Sequence, residues 1–113
     1  MKYVLTLSLT MVLLSSAYSQ STEDSVKAVI NNLFTAMKTA DSVGVKTVFS
    51  EWAVLQTIGR NKEGGTMIRT DEVAGFASFV GKSTKGDADE RISFGAVHID
   101  GALASVWTPY QFY

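Results

Sequence analysis

An uncharged, largely apolar run near the N-terminus most limits what this chain can fold into, because it decides which residues take part in folding. Met1 and Lys2 are followed by the run from Tyr3 to Leu14 and then by a small, polar stretch that ends at Ser19. A short basic start, a short apolar core and small residues before a cleavage point are typical of a secretory signal peptide. The run is too short for a transmembrane helix, which needs about 20 apolar residues.

We therefore expect residues 1–19 to be a signal peptide that is cleaved after Ser19, and residues 20–113 to form one domain. The product is then secreted or periplasmic, begins at Gln20 and keeps no stable membrane anchor. The alternative is an uncleaved anchor or a buried N-terminal helix.

Composition excludes several classes of site and partner. The sequence has no cysteine, which rules out disulfides, thiol catalysis, zinc held by cysteine and a lipidated cysteine anchor. The formal net charge is −1, and no basic patch indicates a nucleic-acid partner. A domain of this size buries only about 60–65% of its unfolded surface, so we expect a small margin of stability.

The clearest helical pattern covers about Glu23–Ala40. Ser21 and Asp24 have the spacing of a capping box, which satisfies the free amides at a helix start. The apolar residues then recur at helical spacing, at Val26, Val29, Ile30, Leu33, Phe34 and Met37. This amphipathic stripe predicts a helix that packs against a core, with pocket lining as the alternative.

Two more helices and one hairpin follow in the pattern. Asp41 and Ser42 can cap a second, shorter helix that ends near Ser50. Asp71 can cap a third helix that Gly81 stops. Between them the sequence predicts a hairpin of strands Ala53–Gly59 and Thr66–Arg69 around a turn at Asn61–Gly65. The polar segment Lys82–Glu90 is interpreted as a solvated loop.

The last part of the chain predicts two long strands, Arg91–Ile99 and Ala102–Tyr113. Asp100 and Gly101 between them suit a type I′ turn. With that turn, Ile99 faces Ala102, His98 faces Leu103 and Phe94 faces Trp107. One face then holds Ile92, Phe94, His98, Leu103, Ser105 and Trp107; the other holds Gly95, Val97, Ile99, Ala102, Ala104 and Val106. Pro109 predicts an edge or a bulge, because proline cannot donate to a ladder.

This order of elements resembles the NTF2-like (nuclear transport factor 2-like, SnoaL-like) superfamily of cone-shaped α+β domains. The resemblance lies in Val26–Phe49, in the turn around Glu63–Gly65 and in the run DGALASVWTPY from Asp100 to Tyr110. It is strongest to small exported members described as lumazine-binding and covers nearly all of residues 20–113. It implies N-terminal helices packed on a curved antiparallel sheet.

The resemblance also implies that two strands are missing. Similar domains continue past the equivalent of Tyr113 into two further strands, so we expect an incomplete domain. Trp107, Tyr110 and Phe112 would then lie at an unpaired edge that invites pairing with another chain or aggregation. A short variant closed by a dimer partner is the alternative.

The resemblance implies a ligand site between sheet and helices, and in some members acid/base chemistry by an Asp or a His helped by a Tyr. His98 and Tyr110 are therefore the catalytic candidates, since histidine often acts as a general acid or base. A hydrogen-bonded strand residue is the alternative for His98. It is the only histidine, so no multi-histidine metal site is expected, and we expect no metal and no cofactor.

The candidate ligand-binding residues are Trp52, His98, Trp107 and Tyr110. Trp107 and Tyr110 can stack on a planar ligand, with core packing as the alternative. Trp52 can be a lid or a packing anchor. Arg60 and Arg69 can bind an anion or pair with cross-strand acids such as Glu51 and Asp71.

The leading hypothesis is an exported domain without enzymatic activity. It would hold a small apolar or aromatic ligand, or a second protomer in a homodimer, against its sheet. One alternative is a truncated fragment with no independent function. The other is an isomerase or dehydratase that uses His98 with Tyr110.

Overall fold

The computed structural model describes residues 22–113, which form an α+β structure. The predicted signal peptide, the predicted cleavage site and the predicted capping residue Ser21 lie outside the described residues. Residues 22–38 form helix α1. The other elements are α2 (Ser42–Val48), β1 (Val54–Arg60), β2 (Thr66–Glu72), α3 (Val73–Lys82), β3 (Glu90–Ile92), β4 (Val97–Asp100), β5 (Leu103–Val106) and β6 (Tyr110–Phe112). The predicted α+β class is confirmed.

The described residues divide into two compact units. One unit contains residues 22–29 and 92–109. The other contains residues 30–91 and 110–113, and therefore holds α2, α3 and the first hairpin.

Helix α1 ends in a tight turn at Ala40. Ala40 has a φ of 54°, in the left-handed region that favours glycine. The Ala40 N–H donates to the Met37 carbonyl at 3.2 Å, and the Asp41 N–H donates to the Ala36 carbonyl at 2.9 Å. This pair of bonds is a Schellman motif, which satisfies carbonyls at the helix end.

Helix α2 begins where the sequence predicts. Asp41 is its N-cap, and the Asp41 carboxylate accepts a hydrogen bond from the Gly44 N–H at 2.9 Å. A Cβ added at Gly44 would lie 3.0 Å from the Ala36 Cβ. The glycine therefore lets α2 approach α1 closely.

The buried core of the larger unit lies among its helices. Its five members are Ala36, Met37, Val45, Ala77 and Val80. Most are small, so the helices can approach each other closely. The partly buried residues packed against them are Leu33, Phe34, Phe49, Phe76 and Ala88. The predicted core role of the α1 stripe is confirmed at Leu33, Phe34 and Met37.

Two predictions about α3 are wrong. Its N-cap is Glu72, without a side-chain capping bond, while Asp71 lies in β2 and pairs with Arg69 at 2.9 Å. Gly81 lies inside the helix instead of ending it. A Cβ at Gly81 would come within 2.9 Å of the Ser42 Cβ, so its role is to allow close packing against α2.

Strands β1 and β2 form an antiparallel hairpin close to the predicted one. Their register runs from Val54 opposite Glu72 to Arg60 opposite Thr66, which makes β2 three residues longer than predicted. Asn61 closes the turn by donating its N–H to the Gly65 carbonyl at 2.8 Å. Gly64 has a φ of 83°, as expected of the last residue in a three-residue hairpin loop.

The segment after α3 is more than a solvated loop. The Gly86 N–H donates to the Lys38 carbonyl at 2.8 Å, and Ala88 packs against the helical core. The Asp89 side chain is mostly buried and contacts two basic side chains. The segment is therefore held to the end of α1 because its backbone and one carboxylate bind there.

The predicted pair of long strands is present but interrupted. Residues 93–96 and 107–109 separate it into the pairs β3–β6 and β4–β5. The interruption on the second strand ends at Pro109, where an irregularity was predicted.

The predicted register of this pair is wrong by two residues. His98 faces Ser105 and Asp100 faces Leu103, so Gly101 and Ala102 are the central turn residues. Gly101 has a φ of 56°, which suits the first central position of a type II′ turn. Because side chains alternate with a period of two, the shift leaves the predicted faces of β4 and β5 unchanged.

Candidate ligand-binding surface

Trp107 lies opposite a bulge formed by Gly95 and Ala96. The Trp107 N–H donates to the Ala96 carbonyl and the Gly95 N–H donates to the Trp107 carbonyl, both at 2.8 Å. Two residues of one strand thus oppose one residue of the other, which is a β-bulge. A Cβ at Gly95 would lie 2.8 Å from the Trp107 Cδ1. The indole ring therefore packs on the bare backbone of Gly95.

The Trp107 side chain is nevertheless 69% exposed. It shares its strand face with Ser105 and Leu103, because alternate residues point the same way. Leu103 is also largely exposed. This surface, made of His98, Leu103, Ser105 and Trp107, is called the Trp107 face below. The alternative that Trp107 is a core residue is therefore wrong, because a core residue would be buried.

His98 lies in the middle of β4, directly opposite Ser105. Its side chain is exposed and makes no hydrogen bond or ion pair within the described residues. The interpretation of His98 as a hydrogen-bonded strand residue is therefore wrong for its side chain. The imidazole is free to meet a ligand that reaches the Trp107 face.

Tyr110 belongs to the other compact unit. It is exposed, and its ring meets the Phe112 ring edge to face at a centroid distance of 5.8 Å. The alternative that Tyr110 is core is therefore wrong. His98 and Tyr110 lie in different compact units, so their pairing in acid/base catalysis stays a prediction.

Trp52 is more exposed than Trp107 and Tyr110. It follows α2 in a turn and is 84% exposed. The prediction that it anchors the helix to the sheet is wrong, because a packing anchor must bury its ring.

The two candidate anion-binding arginines have ordinary partners. Arg69 pairs with Asp71 two residues along the same strand, and the Arg60 Nη1 donates to the Gly64 carbonyl at 3.3 Å. Asp71 is thus the predicted partner of Arg69, although it lies along the strand and not across it.

A groove between α1 and α2 was not predicted. Its volume is about 360 Å³, and its polar lining includes Asn32, Thr35, Thr39, Asp41 and Thr47. The Thr39 and Thr47 hydroxyls donate to carbonyls four residues earlier at 2.9 and 2.8 Å. Each hydroxyl has used its only hydrogen, so it can form further hydrogen bonds only as an acceptor. The sequence signal was the four-residue spacing of Thr35 and Thr39 on the polar side of α1.

Asp89 is the centre of the main ionic cluster of the larger unit. Arg91 donates to its carboxylate through Nη2 at 3.1 Å, and the Lys38 Nζ lies 3.2 Å from it. The hydrogen bond from Arg91 lowers the pKa of Asp89, and Lys38 acts in the same direction against the effect of burial. Burial raises the pKa of the neighbouring Glu90.

The same cluster holds the last residue of the chain. The Arg91 guanidinium lies 4.0 Å from the centre of the Tyr113 ring, which is a cation–π contact. The Tyr113 N–H donates to the Asp89 carbonyl at 3.1 Å. These contacts fix β6 beside β3 and explain the cluster as structural.

Within residues 22–113 no group of three or more His, Asp or Glu residues is arranged to hold a metal ion. No helix in that part of the chain is long and apolar enough to cross a bilayer. Comparison with family models, curated proteins and solved structures found no match for this chain.

Proposed function

We propose that this chain is an exported NTF2-like domain that binds a small apolar or aromatic ligand without catalysing a reaction. The observation that carries the proposal is the exposed Trp107 ring, packed on Gly95 opposite the bulge. An aromatic ring that is already positioned loses little conformational entropy when a planar ligand stacks on it. His98 and Ser105 can add hydrogen bonds from the same face.

The NTF2-like assignment is supported by the element order. The described chain runs helix, helix, strand, strand, helix and then a broken strand pair, which is the order that the resemblance implies. We propose that residues 22–113 belong to a cone-shaped domain of this type. Backbone NMR of the full chain tests this, and strand pairs that do not share one curved sheet in solution would contradict the proposal.

Ligand binding is tested with lumazine, a planar heteroaromatic probe chosen from the family resemblance. The chain has two tryptophans, so Trp52→Phe leaves Trp107 as the only indole and Trp107→Phe leaves Trp52. We expect saturable quenching of Trp emission in Trp52→Phe, and loss of calorimetric binding in Trp107→Phe. Equal binding by both variants, or none by Trp52→Phe, would contradict the proposal.

The catalytic alternative is tested separately. The chain would be incubated with a panel of lactone, epoxide and ketosteroid-like substrates. Turnover that disappears in His98→Ala would replace the proposal with an acid/base mechanism.

We further propose that the protein self-associates through its sheet as a homodimer. The support is the exposed hairpin β1–β2, on which Ile58 and Ile68 face each other across the strands. They are 76% and 65% exposed, and a lone two-stranded hairpin is marginally stable in water. Sedimentation of the full chain at increasing concentration tests this, with a mass that doubles as the expected result.

A further inference from the structure

We propose that the outer edge of β2 is the dimer contact, where it pairs antiparallel with β2 of a second copy about a two-fold axis at Thr70. The inference rests on the proposed self-association and is independent of ligand binding at the Trp107 face. It names the strand, the register and the charges that would join the two copies.

Strand β2 has free backbone groups along its outer edge. Among the described residues, β1 and β2 pair only with each other. The hydrogen bond between Asn61 and Gly65 fixes which pairs of the antiparallel ladder are bonded, because bonded and non-bonded pairs alternate. It follows that Thr66, Ile68, Thr70 and Glu72 direct their N–H and C=O groups away from β1. Such an edge can accept another strand.

Strand β2 carries two opposite charges near its centre. Arg69 and Asp71 flank Thr70, lie on one face of β2 and keep exposed side chains. In an antiparallel pair centred on Thr70, each Arg69 faces Asp71 of the second copy. These two positions are non-bonded pairs, where facing side chains are closest. The β2 edge is therefore complementary to itself.

The edge of β1 is not complementary to itself in charge. Arg60 is the only charged residue of its seven, so a self-pair of β1 contains no pair of opposite charges. Opposite charges placed symmetrically around Thr70 make a second copy of β2 the occupant that this edge fits.

Pairing of two copies would also enlarge the sheet. Pairing at Thr70 also brings the free groups of Ile68 opposite those of Glu72 from the second copy. The two hairpins then form one sheet of four strands in the order β1, β2, β2, β1. A sheet of three or more strands is the usual minimum for independent stability, so the dimer would support the exposed Ile58–Ile68 pair.

The test uses charge reversal in the full chain, with mass measured by light scattering after size-exclusion chromatography. Arg69→Asp gives an edge with two acids, and Asp71→Arg gives an edge with two bases. We expect each variant alone to be monomeric, because like charges face each other. An equimolar mixture should recover the dimer mass, since every facing pair is then opposite in sign.

The mixture also shows that both variants are folded, because only a folded edge can restore pairing. Arg60→Asp is the matched control: it reverses an exposed arginine of the same hairpin outside the proposed contact and should remain dimeric. Monomeric wild-type protein overturns both the inference and the proposed self-association. Dimeric single variants, or a mixture that stays monomeric beside a dimeric wild type, overturn the β2 register alone. Open-ended oligomers would show head-to-tail pairing and also overturn it.

Discussion

Val45 on α2 and Leu103 on β5 are both aliphatic, yet Val45 is fully buried and Leu103 is 72% exposed. The difference is that apolar residues are buried among the helices but exposed on the strands. In the helical part, small side chains and glycines bring α1, α2 and α3 together around a closed core. On the strand hairpins, larger apolar side chains remain open to contact. Stability is therefore expected to come from the helices and binding from the strands.

The largest expected effect is on the helical core. Val45→Ala should lower the free energy of unfolding by about 2 kcal/mol, because it removes buried methyl groups and leaves a cavity. Urea denaturation followed by circular dichroism measures it. Val43→Ala on the same helix, where the side chain is 72% exposed, is the control and should cost less than about 0.5 kcal/mol. Equal losses would remove the distinction between the two faces of α2.

The next effect is at the bulge under Trp107. Gly95→Ala should lower the free energy of unfolding by about 1 kcal/mol, because the added methyl group meets the indole ring and forces it to move. In a Trp52→Phe background the emission of Trp107 should change as well. Gly59→Ala is the control, since nothing lies within 4 Å of a Cβ there. An unchanged Trp107 emission spectrum would contradict the close packing.

A smaller gain is expected at the end of α1. Ala40→Gly should raise the free energy of unfolding by about 0.5–1 kcal/mol, because glycine adopts the positive φ of Ala40 without strain. Ala28→Gly in the middle of the same helix should have the opposite sign, at about 1 kcal/mol. Thermal unfolding of the two variants gives the comparison, and a shared sign would count against the strained turn.

On the strands the effect should be smaller still. Leu103→Ala removes more atoms than Val45→Ala, but the side chain is already mostly in water. We expect a loss of about 0.5 kcal/mol or less in the free energy of unfolding. A loss as large as that of Val45→Ala would mean that the hairpin face is covered in solution.

The last effect is confined to acid. Because the pKa of Asp89 is lowered in the folded state, its contribution to stability is present above the ordinary pKa of aspartate, about 3.9, and is lost as pH falls through the lower folded value. Glu90 acts in the opposite sense, since its raised pKa favours folding when it is protonated. Asp89→Asn should therefore flatten the fall in unfolding midpoint below about pH 4.

Asp87→Asn provides the control for this pH dependence. Asp87 is an exposed carboxylate in the same loop, and its replacement should leave the acid limb unchanged. If wild type and Asp89→Asn lose stability equally in acid, groups other than Asp89 cause that loss.

Local signals predicted the helices well. The spacing of Leu33, Phe34 and Met37 and the capping side chain of Asp41 depend on neighbours within a few residues, so the sequence contains them. The wrong predictions concern features that depend on residues far apart in the chain. Gly81 was interpreted as a stop, but it is required by the approach of Ser42, and the turn at Gly101 moved by one residue to suit the strands that it joins.

The sequence predicted which residues form the candidate site, but not how exposed they are or what they pack against. Trp107 and His98 were selected from residue type, and period-two alternation kept them on one face in spite of the register error. Their exposure and the packing of Trp107 on Gly95 could not be predicted. The exposure and the packing of Trp107 depend on which backbone lies opposite it. The extra residue in the bulge changes which residue lies there.

The sequence by itself determined the α+β class, the three helices, the two hairpins and the aromatic residues that the strands carry. Only the tertiary structure decided the strand register, the bulge at Gly95 and Ala96, and which apolar residues are covered. The physical reason is that helix caps and amphipathic spacing are local, whereas register and burial depend on contacts between residues far apart in the chain.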